Sequence, residues 1–293
     1  MGFRTVCIEN RSKCSYMGGY LIVTQDTSTT KIHLSEISSL ILSTTQVYIS
    51  GYLLSELAKS KIPLIACNEK QMPESLALPL YGAHNCSQRV EEELQWTLPS
   101  KKRVWKTIVE HKIARQADVL RLREHDYEAA VLDTYAREVR SGDVTNREAA
   151  AAGLYFAALF GRDFNRDQDN YINASLNYGY AILLSKVARE LVSRGYITQA
   201  GIFHHSSFNQ WNLACDFMEP FRPYVDAVVL FSGEEDFTKR MRILLMDMLN
   251  CELSYNAGRY KVHSVVSLYV KDCLDALSKR ISPDNIKSYE FTQ

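Results

Sequence analysis

The sequence lacks a hydrophobic segment long enough to cross a membrane, and it lacks the start of a secreted protein. Its longest strongly apolar run, residues 149–161, holds 13 residues, whereas a membrane-spanning helix needs roughly 18 or more. The first ten residues, MGFRTVCIEN, contain no signal-peptide core. We therefore expect a cytoplasmic protein that does not enter a membrane.

Clustered cysteines and an excess of one charge are also missing. The seven cysteines are widely spread and form no Cys-x-x-Cys pair, which argues against a disulfide framework or a zinc knuckle. The 34 basic residues are matched by 34 acidic ones, which excludes a globally basic chromatin-type binder and restricts any nucleic-acid surface to a local patch. Apolar residues make up 46% of the chain, enough for a sizeable core.

Two regions of different character predict an α+β fold, with a small β-rich N-terminal domain followed by a larger all-helical C-terminal domain. Residues 1–80 contain short runs of β-branched and aromatic residues, with one helix-like stretch inside 47–61. Proline and glycine make 70–85 the predicted linker. Residues 85–293 have helical periodicity in eight segments, 88–96, 101–124, 127–140, 147–160, 173–194, 208–218, 234–255 and 262–279.

Glu148 opens the most apolar helix of the sequence. Thr145-Asn-Arg-Glu148 fits a capping box, with Thr145 as the N-cap and Glu148 as the third helical residue. The helix that follows, AAAAGLYFAALF, is apolar on most sides, so its first turn is expected at the edge of the core. A carboxylate held there is a candidate functional group as well as a candidate cap.

Two adjacent histidines, His204 and His205, follow Gly201 in a predicted loop between helices. An imidazole in this position can bind a metal, act as a general base or cap a helix. A purely structural histidine is the other interpretation, and the pattern in isolation favours it.

Asp216 and Glu219 are three residues apart, which places them on one face of a helix. Two carboxylates in that arrangement repel each other unless a positive charge lies between them. Arg222 or a lysine would supply that charge. A divalent cation such as Mg²⁺ or Mn²⁺, which prefers oxygen ligands, would do so as well.

Residues 101–123 carry eight basic side chains against two acidic ones. This excess predicts a basic helix that is either a solvated face or a surface that contacts DNA phosphates. Two arginines in the loop after the apolar helix are further candidates. The predicted phosphate contacts are Lys101, Lys102, Arg103, Lys106, Arg162 and Arg166.

The order and spacing of these elements resemble the universal CRISPR-associated integrase family, the endonucleases of spacer acquisition. The resemblance covers nearly the whole chain. It rests on the β-rich start, Asn-Arg-Glu148-Ala-Ala-Ala-Ala-Gly-Leu-Tyr-Phe, Ile172-Asn-Ala-Ser-Leu-Asn-Tyr-Gly-Tyr180, Gly201-Ile-Phe-His204 and Asn212-Leu-Ala-Cys-Asp216-Phe-Met-Glu219-Pro-Phe-Arg222-Pro. Phe208-Asn-Gln-Trp-Asn-Leu is similar to the form found beside the single-protein effectors of type II systems. Cys215 departs from the pattern, since relatives often carry an acid there.

The resemblance implies a site for Mg²⁺ or Mn²⁺ formed by Glu148, His204 and Glu219, which are then also the catalytic residues. It implies that Asp216 and His205 lie around these ligands without binding the metal directly. The implied activity is metal-dependent integration, in which a DNA 3′-hydroxyl attacks a target phosphodiester and inserts prespacer DNA into a CRISPR array. Water in place of the hydroxyl would give endonuclease activity.

The resemblance also implies partners. These are double-stranded DNA, as prespacer and as CRISPR repeat, and a small ferredoxin-like adaptation protein. The implied assembly is a homodimer, formed largely through the β-rich domains, within a larger hetero-oligomer. Two alternatives stay open here, a non-catalytic DNA-binding scaffold and a metal-dependent phosphoesterase that acts on another substrate.

Overall fold

The computed structural model describes residue 2 and residues 4–291. The chain divides into two compact units, one of Met1–Cys86 and Ala188–Tyr196, the other of Ser87–Val187 and Ile197–Gln293. None of the helices among these described residues is long and apolar enough to span a membrane.

Among the residues that the structure describes, the first unit contains two four-stranded sheets, one complete helix and the last residues of a second helix. The sheet orders are β1-β5-β7-β8 and β4-β3-β2-β6. Leu21, Leu40 and Leu53 are fully buried in the shared core of this unit. The elements are β1 (Arg4–Ile8), β2 (Ser12–Met17), β3 (Tyr20–Thr24), β4 (Thr29–His33), β5 (Ile37–Leu42), β6 (Val47–Ile49), α1 (Gly51–Lys59), β7 (Leu64–Cys67) and β8 (Pro73–Ala77).

Strand β8 lies inside the segment 70–85 that the sequence analysis predicts as a linker. It pairs antiparallel with β7, with Leu64 opposite Ala77 and Cys67 opposite Pro73. Pro73 is the first residue of the strand, a position where proline is tolerated. The β-rich character of the N-terminal region is confirmed, and its role in dimerisation stays a prediction.

The second unit is mainly helical, and α3 is its longest described helix that lies wholly within the unit. This helix of 25 residues packs against α4, α5, α8 and α10 and has ten buried residues. The elements are α2 (Cys86–Leu94), α3 (Leu98–Leu122), α4 (Asp126–Glu138), α5 (Arg147–Phe160), α6 (Tyr171–Ser193), α7 (Asn212–Met218), α8 (Arg222–Leu230), α9 (Lys239–Asp247), β9 (Glu252–Tyr255), β10 (Gly258–Lys261), α10 (Val262–Leu277) and β11 (Tyr289–Glu290). The last residues of α6, from 188 onward, belong to the first unit.

A small C-terminal sheet corrects the prediction of an all-helical second domain. The order of its three strands is β10-β9-β11, and β9 lies in the segment 234–255 that periodicity assigns to one helix. Asn256 and Ala257, with φ of 49° and 63°, form the two-residue turn between β9 and β10. A turn with two positive φ angles suits a hairpin, and the alternate side chains of Leu253 and Tyr255 are buried. The α+β class is confirmed, and the single helix over 234–255 is wrong.

Candidate metal centre

The loop between α6 and α7 is folded around the carboxylate of Asp216, which is fully buried. Its Oδ2 accepts hydrogen bonds from the backbone N–H groups of Ile202 (2.6 Å) and Phe203 (3.2 Å). Its Oδ1 accepts one from the backbone N–H of His204 (3.0 Å). Gly201 makes room for this turn, because a Cβ atom there would lie 2.2 Å from the carbonyl oxygen of His204. The Gly-x-x-His spacing therefore has a steric cause.

The imidazole of His204 is held by the same carboxylate. Nδ1 lies 2.7 Å from Oδ1 of Asp216. This hydrogen bond raises the pKa of His204 and outweighs the opposing effect of burial, with help from the charges of Glu219 and Glu148. The ring packs edge-on against Trp105, with the ring centroids 5.9 Å apart. Because Nδ1 faces Asp216, Nε2 is the nitrogen that is available to a ligand.

Glu148 and Glu219 come together at the ammonium group of Lys112. Nζ of Lys112 lies 2.6 Å from Oε1 of Glu148 and 2.6 Å from Oε2 of Glu219. Nε of Arg222 donates a hydrogen bond of 2.8 Å to Oε1 of Glu219. The side chains of Lys112, Glu148 and Glu219 are 12%, 18% and 5% exposed. We call Lys112, Glu148, Glu219 and Arg222 the carboxylate cluster.

Two bases and two acids make the carboxylate cluster formally neutral. Burial alone would raise the pKa of Glu219, but Arg222 and Lys112 outweigh it and hold that pKa well below its usual value. Burial alone would lower the pKa of Lys112, but the charges of Glu219 and Glu148 outweigh burial and raise that pKa above its usual value. Both groups are therefore charged at neutral pH.

The N-terminus of α5, which carries Glu148, is capped by Asp143 and not by Thr145. Oδ1 of Asp143 accepts a hydrogen bond from the backbone N–H of Arg147 (2.9 Å), and Oδ2 accepts one from that of Glu148 (3.0 Å). Asn146 is the N-cap residue, in a left-handed conformation with φ of 52°. The predicted capping box is wrong, so the side chain of Glu148 is not engaged as a cap and is free to face Lys112.

The donor atoms of this region fit a hard divalent cation, since two carboxylates and one imidazole are suitable ligands for Mg²⁺ or Mn²⁺. Oε2 of Glu219 is buried and accepts no well-formed hydrogen bond within the described part of the chain, although Nζ of Lys112 is close. Among residue 2 and residues 4–291, however, no three His, Cys, Asp or Glu side chains are near enough to share a metal as they stand. Lys112 lies where the two carboxylates meet.

Several basic side chains of α3 are paired with acidic groups. Lys112 belongs to the carboxylate cluster, Arg115 pairs with Asp118 at 3.1 Å, and Lys106 pairs with Glu110 at 2.5 Å. Of the predicted phosphate contacts on this helix, Lys102 and Arg103 are exposed, and Lys101 and Lys106 are half-buried. Of the predicted contacts on α3, Lys102 and Arg103 in its first turns are therefore the exposed candidates for DNA phosphates.

The remaining predicted residues lie outside the carboxylate cluster. His205 and Arg162 are exposed. Arg166 is half-buried and donates hydrogen bonds to the side-chain oxygens of Asn173 and Asn177. Its guanidinium is thus committed to α6, which makes Arg162 the better candidate for a phosphate contact in this loop.

Lys112 is one of the eight basic side chains in 101–123 that predict a basic helix, although its spacing favours the buried face. Trp105, Ile108 and Gln116 are buried on α3, and Lys112 is four residues from each of the last two. That is the spacing of one helical stripe. A lysine within such a stripe needs a buried acidic partner, so the signal was present.

Asp226, on α8, is a second residue that the sequence analysis missed. Its carboxylate is buried and accepts hydrogen bonds from the hydroxyl groups of Tyr155 (3.0 Å) and Tyr180. The guanidinium of Arg222 lies over the ring of Tyr180, 4.6 Å from its centroid. Asp226 thereby fixes the ring against which Arg222 packs, and Arg222 holds Glu219.

The titration of Asp226 gives a pH-dependent stability. Burial raises its pKa from 3.8 to about 6, against the lowering effect of the two tyrosine hydrogen bonds. The folded protein therefore binds a proton on Asp226 more tightly than the unfolded chain does. The stabilisation of the fold by this protonated carboxyl group is lost as the pH rises from about 4 to about 6. We expect the unfolding free energy of the wild type, relative to that of Asp226→Asn, to fall by about 2 kcal/mol from about pH 4.5 to about pH 7.5. Urea denaturation at both pH values checks this, and a constant difference would contradict it.

Comparison with known proteins identifies the family. Residues 6–249 match the family described as CRISPR associated protein Cas1. The CRISPR-associated endonuclease Cas1 of Neisseria meningitidis is 34% identical, over 99% of this chain and 100% of that protein. Similar solved structures include a casposase bound to integration product, with a TM-score of 0.77, 18% identity and coverage of 96% of this chain and 92% of that one. Another is a Cas6-RT-Cas1–Cas2 complex, with a TM-score of 0.75, 18% identity and coverage of 97% of this chain and 36% of that longer chain.

The family match extends over most of the chain, and Glu148, His204 and Glu219 lie within its range of 6–249. The two solved structures, at 18% identity, share the fold of this chain. The sequence match to the Neisseria protein is also consistent with the type II-like form that the resemblance indicates. The chain belongs to the CRISPR-associated Cas1 family.

Proposed function

We propose that the chain is a metal-dependent DNA integrase and endonuclease that inserts prespacer DNA into a CRISPR array. The observation that carries this proposal is the meeting of Glu148 and Glu219 at one point, each 2.6 Å from the same ammonium group. His204, oriented by Asp216, supplies the third donor. Membership of the Cas1 family supports the proposal, and so does the fold shared with a casposase bound to integration product.

Strand joining exchanges one phosphodiester for another. The oxygen of a prespacer 3′-hydroxyl forms a bond to the target phosphorus and loses its proton. The bond from phosphorus to the target 3′-oxygen breaks, and that oxygen gains a proton. Glu148, His204 and Glu219 would hold Mg²⁺ or Mn²⁺, which when bound polarises the phosphate and offsets its growing negative charge.

The chain's own residues position this chemistry. Asp216 fixes the loop and turns Nδ1 of His204 inward, which leaves Nε2 for a ligand. Arg222 holds one oxygen of Glu219 and thereby sets the direction of the other. Side chains whose rotamers are already fixed lose less conformational entropy when the site assembles with its metal and substrate.

The proposed partners follow from the family. A Cas1–Cas2 assembly with this fold is found in the Cas6-RT-Cas1–Cas2 complex. We propose that the chain acts as a homodimer, within a larger complex with a small ferredoxin-like adaptation protein. Double-stranded DNA, as prespacer and as CRISPR repeat, is the proposed substrate.

The first turns of α3 are proposed to contact DNA phosphates. Reversing the two exposed charges there, in Lys102→Glu with Arg103→Glu, should weaken binding of all DNA sequences alike. It should also reduce the slope of log affinity against log salt by about 2. Fluorescence anisotropy with a labelled duplex at several salt concentrations measures both quantities.

A matched control reverses two exposed lysines of the first unit, in Lys59→Glu with Lys70→Glu. This control changes the net charge equally and should leave the affinity within about twofold. If the α3 variant behaves like the control, the helix face is merely solvated.

A plasmid assay tests the proposed function. The protein, with and without its small partner, is incubated with supercoiled plasmid carrying the repeat, Mn²⁺ and a duplex prespacer. Joined product is expected with 3′-hydroxyl ends, and none with 3′-dideoxy ends or after chelation. Hydrolysis of small phosphoesters without any DNA joining would favour the phosphoesterase, and metal-independent DNA binding without joining would favour the scaffold.

A further inference from the structure

We propose that the ammonium group of Lys112 is an internal counter-ion, which holds the two carboxylate ligands in the metal-free protein and gives up its place when a divalent cation binds. The inference rests on the proposed function, because it takes Glu148 and Glu219 as metal ligands. It assigns to Lys112 a positioning role that the basic character of α3 does not suggest.

The geometry of the carboxylate cluster points to this role. Nζ of Lys112 is equally distant, at 2.6 Å, from one oxygen of Glu148 and one of Glu219. The three side chains are nearly buried, with at most 18% exposed. Two buried carboxylates with no cation between them would repel each other strongly. Lys112 therefore preserves the convergence of the two ligands before a metal arrives.

The ammonium group and a divalent cation compete for the same oxygens. Both are positive, so they cannot occupy the space between the carboxylates together. Oε2 of Glu219, the oxygen nearest Nζ, accepts no well-formed hydrogen bond among the residues that the structure describes. The ion pair with Lys112, at 2.6 Å, is therefore the contact that holds this oxygen, and an ion of higher charge displaces the ammonium group.

Arg222 has a different role from Lys112. Its Nε makes a well-formed hydrogen bond to Oε1 of Glu219, and its guanidinium packs on the ring of Tyr180. Planar contacts of this kind fix a side chain, whereas an ammonium on a flexible four-carbon stem moves easily. We infer that Arg222 stays on Oε1 while Lys112 releases Oε2 to the metal.

Mn²⁺ binding to the full chain tests the inference without reference to catalysis. Isothermal titration calorimetry, after removal of bound metal by a chelator, compares the wild type with Lys112→Met. We expect the variant to bind Mn²⁺ at least about tenfold more tightly, since the competing charge is gone. Its thermal midpoint without metal should be lower, and the rise on adding Mn²⁺ should be larger. Lys271→Met, which removes an exposed lysine paired with Asp275, should change neither quantity.

The outcomes separate the inference from the proposed function. Mn²⁺ binding by the wild type with equal or weaker binding by Lys112→Met overturns the role of Lys112 and leaves the metal site standing. Absence of Mn²⁺ binding by the wild type, or undiminished binding by Glu148→Ala, overturns the proposed function and the inference with it.

A second measurement needs no variant that could fail to fold. Amine labelling of the wild type with an N-hydroxysuccinimide ester, read by mass spectrometry, reports on the exposure of each lysine. Labelling of Lys112 should increase severalfold when Mn²⁺ is added, while that of Lys271 should not change. Equal labelling of Lys112 with and without Mn²⁺ contradicts its displacement.

Discussion

Replacing Glu148 or Glu219 by alanine is expected to abolish both strand joining and nuclease activity. Each change removes one of the two carboxylates that meet at Lys112, so a divalent cation loses a charged ligand. Mn²⁺ should then no longer raise the thermal midpoint. A plasmid-joining assay beside melting curves with and without Mn²⁺ measures both effects. Glu56→Ala, which removes a glutamate paired with Lys59 on α1, should retain activity and the Mn²⁺ effect.

The two variants should differ in stability without metal. Glu219→Ala leaves Lys112 and Arg222 without their shared carboxylate in a buried place, which costs about 3 kcal/mol. Glu148→Ala should cost less, because Lys112 keeps Glu219 as its partner. Repulsion between neighbouring acids, taken without their basic partners, gives the opposite sign and predicts that either change stabilises the metal-free protein. An active Glu219→Ala enzyme would contradict the metal site.

His204→Ala is expected to abolish joining, whereas His205→Ala should keep partial activity. His204 is held by Asp216 beside Trp105, and His205 is exposed. Asp216→Asn should reduce the joining rate by about 10- to 100-fold, the usual cost of losing the group that orients a metal ligand. Rates of joining for the three variants, at saturating Mn²⁺, measure this order. A greater loss in His205→Ala than in His204→Ala would show that the assignment is shifted by one residue.

Asp216→Ala should reduce activity more than the loss of a side chain that only orients a metal ligand. Its two oxygens accept three backbone hydrogen bonds and contact the imidazole of His204, so the alanine variant loses the support of the entire loop. Limited proteolysis of the loop from 201 to 211 checks this directly. An uncleaved loop in Asp216→Ala would show that the loop is held by other contacts.

The sequence predicts the class of fold because residues 1–80 contain short runs typical of strands, whereas residues 85–293 have helical periodicity. It predicts the bounds of α5 correctly, since the helical segment 147–160 ends directly before Gly161. It fails at β9, where Leu253 and Tyr255 alternate over only four residues, too few to distinguish a strand from the end of a helix. Strand β8 is missed for a related reason, because its pairing with β7 is a tertiary contact.

The sequence indicates the proposed ligands and names Arg222 as one possible counter-charge, but it does not indicate the acidic partners of Lys112. Glu148, His204 and Glu219 follow from the order and spacing of family motifs. The helical stripe of α3 indicates that Lys112 is buried, but not which acids it pairs with. Those partners lie 36 residues or more further along the chain, and only packing brings α3 against α5 and the turn after α7. Asp143 replaces Thr145 as the cap because the chain enters α5 through a left-handed residue, a conformation that a capping-box pattern does not reveal.

The location of the bound metal tests the central claim most directly. Crystals of the full chain soaked in Mn²⁺ would be measured at a wavelength where manganese scatters anomalously. We predict one strong anomalous peak bounded by Glu148, Glu219 and Nε2 of His204, with Nζ of Lys112 displaced from both carboxylates. A peak elsewhere would contradict this account, and so would the absence of any peak while Nζ remains 2.6 Å from Glu148 and Glu219.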